Sequence, residues 1–227
     1  MKKLKCLLLC FSLVTPVIKG QIEYRTFENP AGEVGLHDQF FRGMVTGDVD
    51  LDGYTDLVTD AHKVYWGNED GLFDAESLSF GVGDGFFTPV IADFDGDNLP
   101  DIAFGSSEER SGVTIHLNND GRRQFKSKIE FDQSRESFWL AAVDVNRDGA
   151  IDLVSADRYG GDLVWYELEN PRPGTLALKE IHLISSSFFQ PFAVLGENLD
   201  SDEDVELIVS TGNGIFLLDW ERSDDFP

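Results

Sequence analysis

Cysteine is almost missing from this chain of 227 residues: there are two, Cys6 and Cys10, and both fall within the first ten positions. Everything beyond them is without disulfides or thiol chemistry. Basic residues are scarce as well, 18 Lys and Arg against 42 Asp and Glu, a formal charge of −24. That balance argues against nucleic acid and anionic membrane surfaces as partners and suggests bound cations. No nucleophile motif is present: no G-x-S-x-G, no H-E-x-x-H and no cysteine outside the leader. No segment after the N-terminal stretch has sustained helical periodicity, and none is apolar for long enough to span a membrane.

The N-terminus is of a different kind. Lys2, Lys3 and Lys5 precede the short apolar run CLLLCFSLVTPVI, and IKG ends before Gln21. The stretch 1–20 reads as a secretory signal peptide, so the chain is expected to be exported (periplasmic, extracellular or secreted) as residues 21–227. Its removal takes four lysines and no acids, leaving 14 basic and 42 acidic residues, a net −28.

What the mature chain has in abundance is aspartate in a fixed pattern. GDVDLDGYTDLV at 47–58 recurs as ADFDGDNLPDIAF at 92–104, as VDVNRDGAIDLVS at 143–155, and more loosely as ENLDSDEDVELIVS at 197–210. First positions fall at Asp48, Asp93, Asp144 and Asn198, spaced 45, 51 and 54 residues apart. The surroundings repeat too. Phe41, Phe86, Phe138 and Phe192 stand upstream, a β-type run (DLVT, DIAF, DLVS, ELIVS) follows at once, and a second (KVYWG, VTIHLN, DLVWY, GIFLLDW) comes soon after. ESLSF, SKIEF and KEIHLIS close the first three units. Each unit therefore reads as four short strands separated by Gly, Asn and Asp turns. Four-stranded units at this period are the signature of β-propeller blades. The expected fold is all-β: a propeller of four-stranded blades, four in number. The strand IEYRTF at 22–27 would close the ring by completing the fourth unit, which stops after its third strand.

The loop spacing carries the chemistry. Numbered from its first residue, side chains at positions 1, 3, 5 and 9 and the carbonyl at position 7 can converge on a hard cation, and such oxygen sets suit Ca²⁺ better than Mg²⁺. Loop 48–56 offers Asp48, Asp50, Asp52, Asp56 and the Tyr54 carbonyl; loop 93–101 offers Asp93, Asp95, Asp97, Asp101 and the Leu99 carbonyl. Loop 144–152 offers Asp144, Asn146, Asp148, Asp152 and the Ala150 carbonyl. Position 6 should be left-handed, which suits Gly53, Asn98 and Gly149. Loop 198–206 departs from the pattern: Asn198 and Glu206 replace the outer aspartates and Glu203 takes the turn, leaving Asp200, Asp202 and the Asp204 carbonyl. Three Ca²⁺ sites are expected, with the fourth in doubt. Asx-turns would account for one or two aspartates per loop. EF-hand and dockerin loops need an acid at position 12, where Thr59, Phe104, Ser155 and Val209 stand.

The pattern D-x-D-x-D-G-x-x-D-[LI], with VYWGNEDGLF at 64–73 and LVWYELEN at 163–170, resembles the FG-GAP/VCBS repeat, the blade unit of integrin-α-like propellers. The resemblance covers about residues 36–220. It implies a calcium-binding propeller, usually exported and often found in adhesion or glycan-related settings, and does not imply one activity.

Loops joining strands two and three, and those leading from strand four to the next unit, should share the face opposite the aspartate loops. Arg42, Lys63, Arg110, Arg135 and Arg158 lie there with Tyr159, Phe188 and Phe189. Loops on a rigid scaffold are where binding resides. The expected role is recognition of a protein or polysaccharide ligand, an anionic one on this reading, with Arg42, Arg110, Arg135, Arg158 and Tyr159 as contacts. The alternatives are a metal-assisted polysaccharide lyase or hydrolase, with His37 or His62 as base, and a structural partner completing a larger propeller. His116 and His182 read as strand residues. Trp66, Trp165 and Trp220 fall in third strands and read as inter-blade core rather than sugar platforms, while Trp139 leads into a loop.

Overall fold

In the computed structural model the chain divides into two units, Met1–Glu33 and Val34–Pro227. The structure describes residues 43–71, 73–80, 88–105, 112–131, 136–199 and 204–219, all of them in the second unit. The expected signal peptide at 1–20, the strand expected at 22–27, His37, Phe41, Phe86 and Trp220 lie outside the described residues.

Among the described residues all regular elements are strands, in four antiparallel sheets. The first sheet takes β1 (Met44–Gly47), β2 (Asp56–Thr59), β3 (Lys63–Gly67) and β4 (Phe73–Ser79) in that order. The second takes β5 (Val90–Ala92), β6 (Asp101–Gly105), β7 (Val113–Asn118) and β8 (Phe125–Phe131). The third takes β9 (Trp139–Val143), β10 (Asp152–Ala156), β11 (Leu163–Glu169) and β12 (Ala177–Ser185). The fourth has β13 (Pro191–Glu197), β14 (Glu206–Thr211) and β15 (Gly214–Leu218). Each sheet is an up-and-down meander whose strands are rich in β-branched and aromatic residues. Trp139 opens β9 rather than leading into a loop.

Consecutive sheets pack face to face. The register explains which residue goes where, because neighbouring side chains on a strand point to opposite faces. In each repeat the acid at loop position 9 is followed by two apolar residues, and they divide between two interfaces. The second of them in sheet one, Val58, pairs with Val64 and packs on Ile102 and Phe104 of sheet two. Ala103 and Ile115 of sheet two pack on Leu153 and Tyr166 of sheet three. Val154 and Trp165 of sheet three pack on Leu207 and Val209 of sheet four. So the first residue (Ile102, Leu153, Leu207) meets the preceding sheet, and the second (Val58, Ala103, Val154) meets the following one. The innermost strands β1, β5, β9 and β13 neighbour one another in chain order. This is a propeller-like arrangement of blades.

The expected core tryptophans are core: Trp66 and Trp165 are buried. The Trp165 ring also stacks on His182 at 4.2 Å.

Candidate metal loops and the opposite face

The four acidic loops each join the first strand of a blade to the second, and three of them share one wiring diagram. The position-9 carboxylate is wholly buried and bridges two backbone N–H groups. Asp56 accepts from Val49 (2.7 Å) and from Gly67 (2.7 Å). Asp101 accepts from Phe94 (2.9 Å) and Asn118 (2.8 Å), and Asp152 from Val145 (3.1 Å) and Leu168 (2.8 Å). One oxygen thus holds the loop and the other holds the end of strand three, so the residue staples three segments of its blade. Burial, the largest influence, raises all three carboxyls: Asp101 to about 7, Asp152 to about 6, and Asp56 above its ordinary value. Asp95 and Asp97 push Asp101 further in the same direction.

Position 1 gathers the turn. Asp48 accepts from the N–H groups of Asp52 and Gly53, Asp93 from those of Gly96, Asp97 and Asn98, and Asp144 from those of Asp148 and Gly149. Position 5 closes an Asx-turn onto position 7: Asp52 on Tyr54, Asp97 on Leu99 and Asp148 on Ala150, each at 2.9 Å. Position 6 is left-handed as expected, with φ of 92° at Gly53, 66° at Asn98 and 91° at Gly149. A second left-handed position was not foreseen. Position 4 has φ of 57° at Leu51, 72° at Gly96 and 62° at Arg147, so two of the three loops hold a bulky residue where glycine is easiest.

Ligand oxygens of Asp48, Asp50 and Asp56 lie within 4.8 Å of one another, as do those of Asp93, Asp95 and Asp101. Positions 1, 3 and 9 therefore converge in the first two loops, while position 5 is turned to its own backbone. In the third loop Asn146 stands at position 3 and donates to Glu167 (2.9 Å). In the fourth loop Asp200, Asp202 and Glu203 lie outside the described residues, as does any contact of Asn198 with them. Glu206 is buried and accepts from the Leu199 N–H at 2.7 Å. Its extra methylene still allows the position-9 bond. Asp204 meets Arg147 of the third loop at 3.2 Å.

Neighbouring blades reach into these loops with residues that the repeat pattern did not flag. Asn118, the last residue of β7, donates to the Val49 carbonyl of the preceding loop at 2.9 Å. Asn170, after β11, donates to the Phe94 carbonyl at 2.6 Å in the amide orientation its neighbours require. Arg123, in the β7–β8 turn, ties Asp50 (2.5 Å), Asp74 (2.6 Å) and Asp52 (3.4 Å) together and lies 5.0 Å over the Trp66 ring. A guanidinium thus already shares the first loop's charge. Arg123 sits in a polar NNDGRR turn that reads as solvent-facing, and only the blade-to-blade packing aims it at the loop.

On the opposite face the β10–β11 turn and the β12–β13 connection are joined, with Phe188 N–H donating to the Gly161 carbonyl at 3.2 Å. A Cβ at Gly161 would stand 2.5 Å from that Phe188 carbonyl oxygen, so the close approach requires glycine. The Arg158 guanidinium lies over the Phe192 ring (5.2 Å) and the Tyr159 ring (5.8 Å). Tyr159 stands edge-on to Phe138 at 5.1 Å and remains 70% exposed, with Phe189 exposed nearby on the connection. Arg42, Arg110 and Arg135 lie outside the described residues. The His62 ring packs edge-on against Phe104 at 4.4 Å, and burial lowers its pKa. His116 stacks on Phe80 at 4.1 Å.

Meandering antiparallel blades with an acidic loop in each first hairpin define a β-propeller-like repeat protein. The FG-GAP-like repeat family model matches twice, over residues 48–104 and 93–155, each match running from one aspartate loop through the strand that follows the next. Residues 48–155 thus carry FG-GAP-like repeats, which supports an FG-GAP/VCBS repeat protein. A search of curated proteins finds no match.

Proposed function

We propose that this chain is an exported, calcium-binding propeller module that recognises a protein or polysaccharide ligand through the face opposite its acidic loops. The observation that carries the calcium reading is the second loop. Asp95 and Asp101 are both fully buried there, and Asp93 brings a third carboxylate within 4.8 Å. Buried carboxylates this close resist ionising together, and a divalent cation removes that penalty. Residues Asp93, Asp95 and Asp101 would hold the ion in this loop, Asp48, Asp50 and Asp56 in the first, and Asp144, Asn146 and Asp152 in the third. Oxygen donors alone, several of them carboxylates, suit Ca²⁺. Bound only by the folded state, each ion stabilises the chain by about 2.7 kcal/mol at a hundredfold excess over its Kd. In an exported chain without disulfides the ions supply the cross-linking.

The ligand surface centres on Arg158, Tyr159 and Phe189, an exposed aromatic and cationic group set on two hydrogen-bonded loops. An aromatic face with an adjacent guanidinium suits a sugar ring carrying a carboxylate or sulfate. The test is thermal unfolding in chelator and then in millimolar Ca²⁺, with bound calcium counted, followed by glycan-array binding of the loaded protein. Three ions and a calcium-dependent rise in Tm are expected, with array binding lost in Arg158→Ala and Tyr159→Ala. No bound calcium overturns the metal reading, and array binding unchanged by both substitutions overturns the ligand surface.

A further inference from the structure

A histidine and two glutamates come together on the third and fourth strands of blade three. Glu167 of β11 and Glu180 of β12 are directly opposite in the register, and His182 stands two residues beyond Glu180, opposite Trp165. Like charges directly opposite on a sheet repel. Here the two carboxylates nonetheless converge: one ligand atom from each of Glu167, Glu180 and His182 lies within 4.8 Å of the others. Glu167 is buried, and its Oε2 is 2.8 Å from His182 Nε2. Its Oε1 is held from the far side by the Asn146 amide (2.9 Å) and the Lys179 ammonium (2.5 Å). Lys179 reaches round because the ladder skips it. Glu167 pairs with Glu180 and Leu168 with Leu178, a bulge that re-aims the side chain between them. Trp165 stacks nearly flat on the His182 ring, at 4.2 Å and 21°, and fixes the orientation of the imidazole.

We propose that Glu167, Glu180 and His182 form a second kind of metal site, for a divalent transition ion of the Zn²⁺ class. An imidazole nitrogen beside two carboxylates suits Zn²⁺, whereas the acidic loops offer oxygen alone. Ligands at about 2.0–2.2 Å in tetrahedral geometry stand roughly 3.3 Å from one another, so the 2.8 Å pair of Glu167 and His182 needs to open by only about 0.5 Å. A ligand carboxylate hydrogen-bonded on its far oxygen and a ring held in place by packing are the supports that orient metal ligands. Lys179 is half exposed and free to swing from Glu167 to solvent as the ion enters. Three protein ligands leave the fourth position to water or to a donor group of a bound molecule.

Calorimetric titration of the untagged, purified chain with Zn²⁺, in millimolar Ca²⁺ to occupy the acidic loops, tests this. One Zn²⁺ per chain is expected, weakened at least about tenfold by His182→Gln and, separately, by Glu180→Gln. Glu180 is exposed, so its variant separates loss of a ligand from loss of the fold, with far-UV circular dichroism as the check. Lys179→Met should tighten binding, because the ammonium competes with the ion for Glu167. His116→Phe, a histidine lost from another blade, should leave the affinity unchanged. Zn²⁺ held by the acidic loops would not respond to His182→Gln. No Zn²⁺ binding, or binding that survives both His182→Gln and Glu180→Gln, overturns the site and leaves the cluster an ion-paired strut between β11 and β12.

Discussion

Replacing Asp101 by alanine tests the staple at the centre of the second blade. The carboxylate accepts from the N–H groups of Phe94 and Asn118, at 2.9 and 2.8 Å, and is fully buried. Alanine offers neither acceptor, and water does not reach a site this deep. Each orphaned N–H costs about 1–3 kcal/mol, so the pair is worth about 2–6 kcal/mol. One term opposes this. At neutral pH and above, burial and the neighbouring Asp95 and Asp97 disfavour the ionised form, and alanine would relieve that repulsion. The measurement therefore belongs at pH 5 on metal-free protein, below the value of about 7 to which the carboxyl is raised, where the group is neutral. Urea unfolding of wild type, Asp101→Ala and Asp97→Ala gives the comparison. Asp97 accepts locally from Leu99 N–H at 2.9 Å, and the loss of that bond should cost about 0.5–1.5 kcal/mol. At roughly 2–4 °C per kcal/mol for a domain of this size, Asp101→Ala should also lower Tm by roughly 10 °C. If Asp101→Ala stayed within about 1 kcal/mol of wild type, the stapling argument would be refuted, because no unsatisfied buried donor is that cheap.

Arg123→Gln should lower the stability of metal-free protein by about 1 kcal/mol while tightening calcium binding at the first loop, since the guanidinium on Asp50 and Asp52 competes with the ion. Calorimetric titration would show it, and an unchanged or weaker first-loop affinity would refute the competition. The His116 imidazole has its pKa lowered to about 4, first by burial and then by His62 and Lys128. Its folded value lies below the unfolded one, so the unfolded chain takes up the proton first, and stability is lost as pH falls from about 6.5 toward 4. Urea unfolding across that window should show this loss in wild type and a shallower one in His116→Phe, and equal slopes would refute the assignment.

The strands and the acidic loops were legible in the sequence because both depend on local chemistry. Alternating apolar runs such as DLVT and VTIHLN have no stable solvent-exposed form, and Gly53, Asn98 and Gly149 mark where the backbone must turn left-handed. The interval between aspartates shows that the unit repeats, and hence that each blade must bury a face on its neighbour. What the spacing could not show is which partner each carboxylate takes. Position 9 reads as a metal ligand in the pattern, and in the fold its two oxygens already hold backbone N–H groups from two different strands.

The contacts between blades depend on packing across tens of residues. Asn118 ends β7 and Arg123 stands in the polar turn after it, and they become part of the first loop only because sheet two lies against sheet one. Likewise Leu51 and Arg147 hold left-handed backbone that their side chains disfavour, a local cost that the surrounding loop hydrogen bonds outweigh. The sequence by itself determined the repeat, the strands and the acidic chemistry, since these follow from short-range preferences. Only the tertiary structure decided which carboxylates converge and which turns reach them, since those depend on distances between segments far apart in the chain.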